Sequence, residues 1–86
     1  MSTLICDVLT PEGPIYSGPA DMVVAPAADG EIGILPRHAP LITALGKGTL
    51  KLKTGGTTTK WIVEGGFLEV LENKVSVLAE KAEATS

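Results

Sequence analysis

Apolar and polar residues alternate along most of this chain, and turn-forming residues interrupt the alternation every few positions. Period two puts successive side chains on opposite faces of an extended backbone, so the pattern calls for β-strands and leaves little room for helix. Thr49 to Lys53 shows it most cleanly, with Leu50 and Leu52 facing in and Lys51 and Lys53 facing out. Leu4, Cys6 and Val8 alternate with Ile5, Asp7 and Leu9, which predicts a first strand apolar on both faces. Pro11-Glu12-Gly13-Pro14 supplies turn chemistry, because proline presets φ and glycine tolerates positive φ. Ile15 to Ser17 reads as a second strand stopped by Gly18-Pro19, and Asp21 to Ala25 as a third. Asp29-Gly30 predicts a type I′ hairpin, a turn that needs positive φ at both central residues.

Glu31 to Leu35 resumes the extended chain. Pro36 and Pro40 then bracket Arg37-His38-Ala39 as an ordered loop, since each proline pushes its predecessor out of helical space. Leu41 to Leu45 reads as a strand, and Gly46 and Gly48 break the chain around Lys47. Beyond the Gly55-Gly56 hairpin, Thr57 to Val63 and Phe67 to Leu71 read as separate strands, with a tight turn or bulge at Gly65-Gly66. Glu72-Asn73-Lys74 turns into a last strand, Val75 to Ala79. Ala79 to Ala84 alone has helical composition, and it is too short for a stable isolated helix.

About nine or ten short strands at regular spacing predict an all-β fold, a flattened sandwich or barrel. The chain has 86 residues, enough for one domain without disulfides or metals. Tyr16, Trp61 and Phe67 are its only aromatics, so the core must be aliphatic. With a net charge of −3, lysines scattered and no basic run, no strong general attraction to nucleic acid or anionic lipid is expected. Cys6 stands alone and reads as a buried thiol. No apolar run approaches the length of a bilayer span, and the N-terminus lacks the layout of a signal or transit peptide. The chain therefore reads as cytosolic, or as encoded in the compartment where it works.

Catalytic candidates are few. His38, the one histidine, lies in the proline-bracketed loop; one His and one Cys do not readily supply a metal site. Without a partner at nucleophile–base spacing, His38 reads as a loop imidazole that orders its turn. Asp29 and Glu31 flank Gly30 on an exposed hairpin tip, where they read as solvated charge and acid–base work is not expected. Gly46-Lys47-Gly48-Thr49 lacks the spacing of a phosphate-binding loop. Lipoyl and biotinyl carrier domains, acidic all-β modules with a modified lysine on a hairpin, are an alternative centred on Lys74. Against it, Lys74 lies near the end of the chain and its preceding residues differ from those of a carrier. A small binding or enzymatic module using His38, Asp29 and Glu31 is the other alternative.

One long segment points to a family. Gly30-Glu31-Ile32-Gly33-Ile34-Leu35-Pro36-Arg37-His38-Ala39-Pro40-Leu41 closely resembles the signature of the ε subunit of F-type ATP synthases. Asp7-Val8-Leu9-Thr10-Pro11 and Ile15-Tyr16-Ser17-Gly18 resemble that family's opening strands. Gly65-Gly66-Phe67-Leu68-Glu69-Val70 and Val75-Ser76-Val77-Leu78-Ala79 resemble its closing ones. The resemblance runs from about residue 3 to residue 83 and implies a ten-stranded β-sandwich over 3–83, with 84–86 as the tail where a helical hairpin would begin.

By this resemblance the chain is a non-catalytic rotor component that docks to the γ subunit and the c ring of the synthase and needs no cofactor. It would lie at the cytoplasmic side of an energy-transducing membrane, bacterial rather than organellar, touching the membrane only through the complex. Asp29, Gly30 and Glu31 would contact the c ring. Thr10, His38 and Thr43 would face γ, with His38 and Glu31 the leading candidates. Most relatives continue into two α-helices that inhibit ATP hydrolysis or bind ATP. The chain stops where the first would start, so neither inhibition nor ATP binding by that route is expected.

Overall fold

The computed structural model describes residues 3–85. Eight strands follow one another: β1 (Leu4–Thr10), β2 (Gly13–Ala20), β3 (Met22–Ala27), β4 (Gly30–Ile34), β5 (Leu41–Ala44), β6 (Lys47–Thr54), β7 (Thr57–Leu71) and β8 (Lys74–Thr85). They form a sheet of order β2-β1-β8-β7-β6-β3-β4, with β5 added on β7, and the sheet does not close into a barrel. All neighbours are antiparallel except β1 and β8, which run parallel from Ile5 opposite Lys74 to Leu9 opposite Leu78.

β7 and β8 turn this sheet into a sandwich. The first half of β7 pairs with β6, from Thr57 to Glu64, and its second half pairs with β5, from Phe67 to Val70. β8 accompanies β7 throughout, from Lys74 opposite Leu71 to Thr85 opposite Lys60. One layer therefore contains β2, β1, the start of β8, the end of β7 and β5. The other contains the end of β8, the start of β7, β6, β3 and β4. The core lies between them, with Leu4, Cys6, Val8, Leu68 and Val77 from the first layer meeting Val23, Ile34, Leu50, Leu52 and Val63 from the second, all essentially inaccessible to solvent.

This arrangement corrects the expected ten strands to eight. Thr57 to Val63 and Phe67 to Leu71 are not two strands joined by a turn; the ladder with β8 keeps one register on either side of Gly65-Gly66. The glycines mark the corner where the chain passes between layers, with φ of 72° and 111°. Because β7 and β8 each serve both layers, each layer still contains five strand segments. Ala79 to Ala84 also belongs to β8, because Ala82 pairs with Val63 and Ala84 with Trp61. Ladder pairing outweighs the weak helical preference of so short a stretch.

Tyr16 on β2 and Trp61 on β7 meet edge to face across the layers, ring centroids 5.7 Å apart at 65°. The Tyr16 hydroxyl donates to the Pro19 carbonyl at 2.9 Å, giving the ring's polar end a partner. Cys6 is fully buried, and burial pushes its thiol up to about 12, with Asp7 adding to the effect. Such a thiol is inert at neutral pH.

The turn between β3 and β4 differs from the type I′ expectation. Its two central residues are Ala28 and Asp29, since Ala27 pairs with Gly30. Neither has positive φ; Gly30, the first residue of β4, does, at 122°. A Cβ at Gly30 would meet nothing within 4 Å, so the demand there is for backbone freedom alone. Gly30→Val is expected to lower stability by about 2 kcal/mol, because a β-branched residue resists that conformation. A thermal melt unchanged from the parent would show that the turn does not need glycine.

Candidate functional site

Alternation on β1, β7 and β8 buries Leu68, Val70, Val75 and Val77 and so turns Phe67, Leu71 and Leu78 outward. The outer face of the first layer consequently exposes large apolar side chains in rows across the strands. Ala44, Phe67, Leu78 and Leu9 are successive neighbours from β5 to β1 at the end nearest the corner. Phe67 is 58% exposed and Leu78 47%. Beside this row lies a shallow, mainly apolar groove of about 710 Å³ that reaches from Leu9 and Thr10 to Leu45 and Gly66.

The next row across the same face is Ile42, Glu69, Ser76 and Asp7, and the one beyond contains Leu71, Lys74 and Ile5. Ile42 is 71% exposed, the highest of any large apolar residue described. Asp7 accepts from the Ser17 hydroxyl at 2.6 Å and pairs with the Lys74 ammonium at 3.5 Å. The Ser17 hydrogen bond first, and Lys74 second, hold its carboxyl below the usual carboxylate range. A depressed pKa adds stability above the unfolded carboxylate's pKa that is lost as pH falls through the folded one.

The sequence-predicted residues occupy three separate places. Thr10 ends β1 at the groove, where its hydroxyl donates to the Gly13 carbonyl at 3.0 Å and accepts from the Glu12 amide at 3.2 Å. Thr43 lies on edge strand β5 opposite the buried Leu68, so its side chain points inward, while Ile42 and Ala44 on either side point out. Thr10 and Thr43 thus flank the apolar row without belonging to it. His38, half-buried, sits in the loop between β4 and β5. Its amide donates to the Leu35 carbonyl at 3.2 Å, and Nδ1 lies 2.7 Å from the Ala39 carbonyl oxygen. Neighbouring Arg37, at φ 69°, donates its amide to Asn73 Oδ1 at 2.6 Å and ties this loop to the turn between β7 and β8.

Asp29, Gly30 and Glu31 are exposed at the β3–β4 tip. The tip lies toward the corner, because Ala27 bridges to Leu45 and the Gly46 amide donates to the Pro26 carbonyl at 2.9 Å. The His38 loop leaves the opposite end of β4. Lys74 is the first residue of β8, not a turn residue; Glu72 and Asn73, with φ of 50° and 62°, make that turn. Among the described residues no three His, Cys, Asp or Glu side chains converge as metal ligands. The sequence reading missed Ile42, Phe67 and Leu78 as surface residues. The available signal was apolarity on both faces of a strand, noted for β1 and equally present at Phe67-Leu68 and Val77-Leu78.

Fold and surface together place the chain among small β-sandwiches that expose an apolar sheet face. Residues 3–85 match the β-sandwich domain of the ATP synthase Delta/Epsilon chain, and the chain belongs to that family. It is 54% identical over 77 residues to the ATP synthase epsilon chain of Desulforamulus reducens, covering 90% of this chain and 58% of that one. The epsilon chain of Alkalihalophilus pseudofirmus is 46% identical over 86 residues, covering 100% and 65%. The chain therefore spans about three-fifths of the length of these curated relatives. Among solved structures, a chain of the Euglena gracilis mitochondrial ATP synthase OSCP/F1/c-ring structure superposes with a TM-score of 0.91 at 22% identity, covering 98% of this chain and 54% of the other. One from the Tetrahymena thermophila mitochondrial ATP synthase central stalk and c-ring gives 0.78 at 15%, covering 93% and 65%. At these identities the likeness is one of fold.

Proposed function

We propose that the chain is a non-catalytic central-stalk subunit of an F-type ATP synthase that docks to γ through the outer face of its first layer and to the c ring through the β3–β4 tip. The observation that carries this reading is the row of Phe67 and Leu78, both about half exposed, flanked by Leu9 and Ala44 on the outer sheet face. A contiguous apolar patch of this kind is costly to leave in water and marks an interaction surface. Thr10 and Thr43 border it, and His38 lies at the far end of the same layer. In this reading the three frame the γ-facing side, and the exposed Asp29, Gly30 and Glu31 meet the polar loops of the ring.

A tightly packed sandwich suits a rotor part, since close packing makes the body stiff between its two contacts. In this reading the chain lies at the periphery of an energy-transducing membrane, on the cytoplasmic side.

Native mass spectrometry of the chain mixed with γ from the same source tests the proposal. A one-to-one complex is expected, and absence of a complex between folded partners would overturn it. The mass of the free chain also reveals any lysine modification of the kind a carrier domain requires. Glu31→Lys should weaken contact with the ring several-fold and leave the melting temperature of the free chain unchanged, because a tip charge is solvated and acts mainly by complementarity. Unchanged coupling in an assembled enzyme carrying Glu31→Lys would remove Glu31 from the contact.

A further inference from the structure

On the outer face of the first layer, one carboxylate stands among exposed apolar side chains without an ion pair of its own among the described residues. Glu69 lies on β7 between Phe67 and Leu71, which share its face, and Ile42 stands directly opposite on β5. These three are 58%, 50% and 71% exposed. On its other side Glu69 is opposite Ser76, which carries no charge. The acid further along the same row, Asp7, already has Ser17 and Lys74 as partners. Among the described residues the only ion pair is that one, and Glu69 makes no side-chain hydrogen bond.

A partner that covers Phe67, Ile42 and Leu71 must also cover Glu69 and strip water from it. An ionised carboxylate buried without a cation or donors costs several kcal/mol, enough to cancel much of the gain from the apolar contacts. A partner surface made only of apolar groups would therefore be rejected at this spot, whereas one that brings a guanidinium or ammonium group would be accepted. We propose that Glu69 is the specificity residue of the γ-facing surface, and that the partner segment seated on it presents one lysine or arginine flanked by apolar side chains. This rests on the reading of that face as the γ-docking surface. It adds the partner's chemistry: an apolar, basic, apolar pattern at the spacing of Phe67, Glu69 and Leu71. Burial at the centre of an apolar ring is also where a charge pair discriminates most strongly between partners.

The test is isothermal titration of γ with the parent chain, Glu69→Gln and Glu69→Lys, each at low and at high sodium chloride. Gln keeps the shape and removes the charge, so Glu69→Gln is expected to bind at least tenfold more weakly, with a flatter salt dependence than the parent. Glu69→Lys should bind more than a hundredfold more weakly. All three chains should melt alike, since Glu69 is exposed and unpaired in the free chain. If the parent binds γ and Glu69→Gln binds as tightly with the same salt slope, the basic-partner proposal is overturned and the docking reading stands. If the parent fails to bind γ, the docking reading falls and the role of Glu69 falls with it.

Discussion

Gly66→Ala will lose more than about 4 kcal/mol, a large share of the stability of a domain this size. Two independent demands meet at this residue. Its φ of 111° lies where an L side chain is strongly disfavoured. An added Cβ would also collide with the Leu78 carbonyl and press on the Ala79 backbone across the ladder. A neighbouring strand cannot give way as a flexible side chain can, so relief requires β7 and β8 to part at the corner. Gly65→Ala is the control: its φ is 72°, but the obstacle is the Glu80 side chain, which can swing aside. A loss of about 1 kcal/mol is expected there. Urea unfolding followed by circular dichroism measures both. Equal midpoints for the two variants would contradict the account of the corner.

If the outer face of the first layer docks γ as proposed, Phe67→Asp is expected to abolish measurable docking, weakening it at least a hundredfold, about 3 kcal/mol. The same substitution should move the melting temperature of the free chain by only a few degrees, since the ring is 58% exposed and packs little. The effect on binding exceeds the effect on folding because an aromatic at the centre of an apolar row is desolvated only in the complex. The substitution also puts a second acid next to Glu69 on the same face of β7. Binding retained within threefold in a titration would shift the interface away from this layer. Binding lost together with a collapsed melt would instead make Phe67 a folding residue.

Period-two reading was enough to find most of the strands, and also the inward face where the other face is charged, as with Leu50 and Leu52 between Lys51 and Lys53. It was not enough at Gly65-Gly66. A glycine pair between apolar runs looks like a turn, and only the unbroken register with β8 shows that the strand passes through. It also misplaced the β3–β4 turn by one residue, since the dipeptide signals a hairpin without fixing which residues are its centre. Alternation assigns side chains to two faces of a strand, but not which face becomes core. That depends on the opposing layer, so the outward set of Ile42, Phe67 and Leu78 could not be read from local sequence. Thr10, His38 and Thr43 entered as γ contacts through family resemblance; local chemistry singled out only His38, and read it as a loop imidazole. The physical argument instead selects the apolar row between Thr10 and Thr43.

The parallel pairing of β1 with β8 has a consequence for synthesis. Ile5 to Leu9 must wait for Lys74 to Leu78, the partners from almost the other end of the chain. A nascent chain can close the β1–β2 and β3–β4 hairpins early, but β1 keeps one edge unpaired until β8 has left the ribosome. Closure of so long a loop is entropically costly and comes late, as it does for folds dominated by distant contacts. This pairing is therefore among the last steps of folding, and until it forms the unsatisfied edge of β1 is what a chaperone or an early-arriving partner would meet.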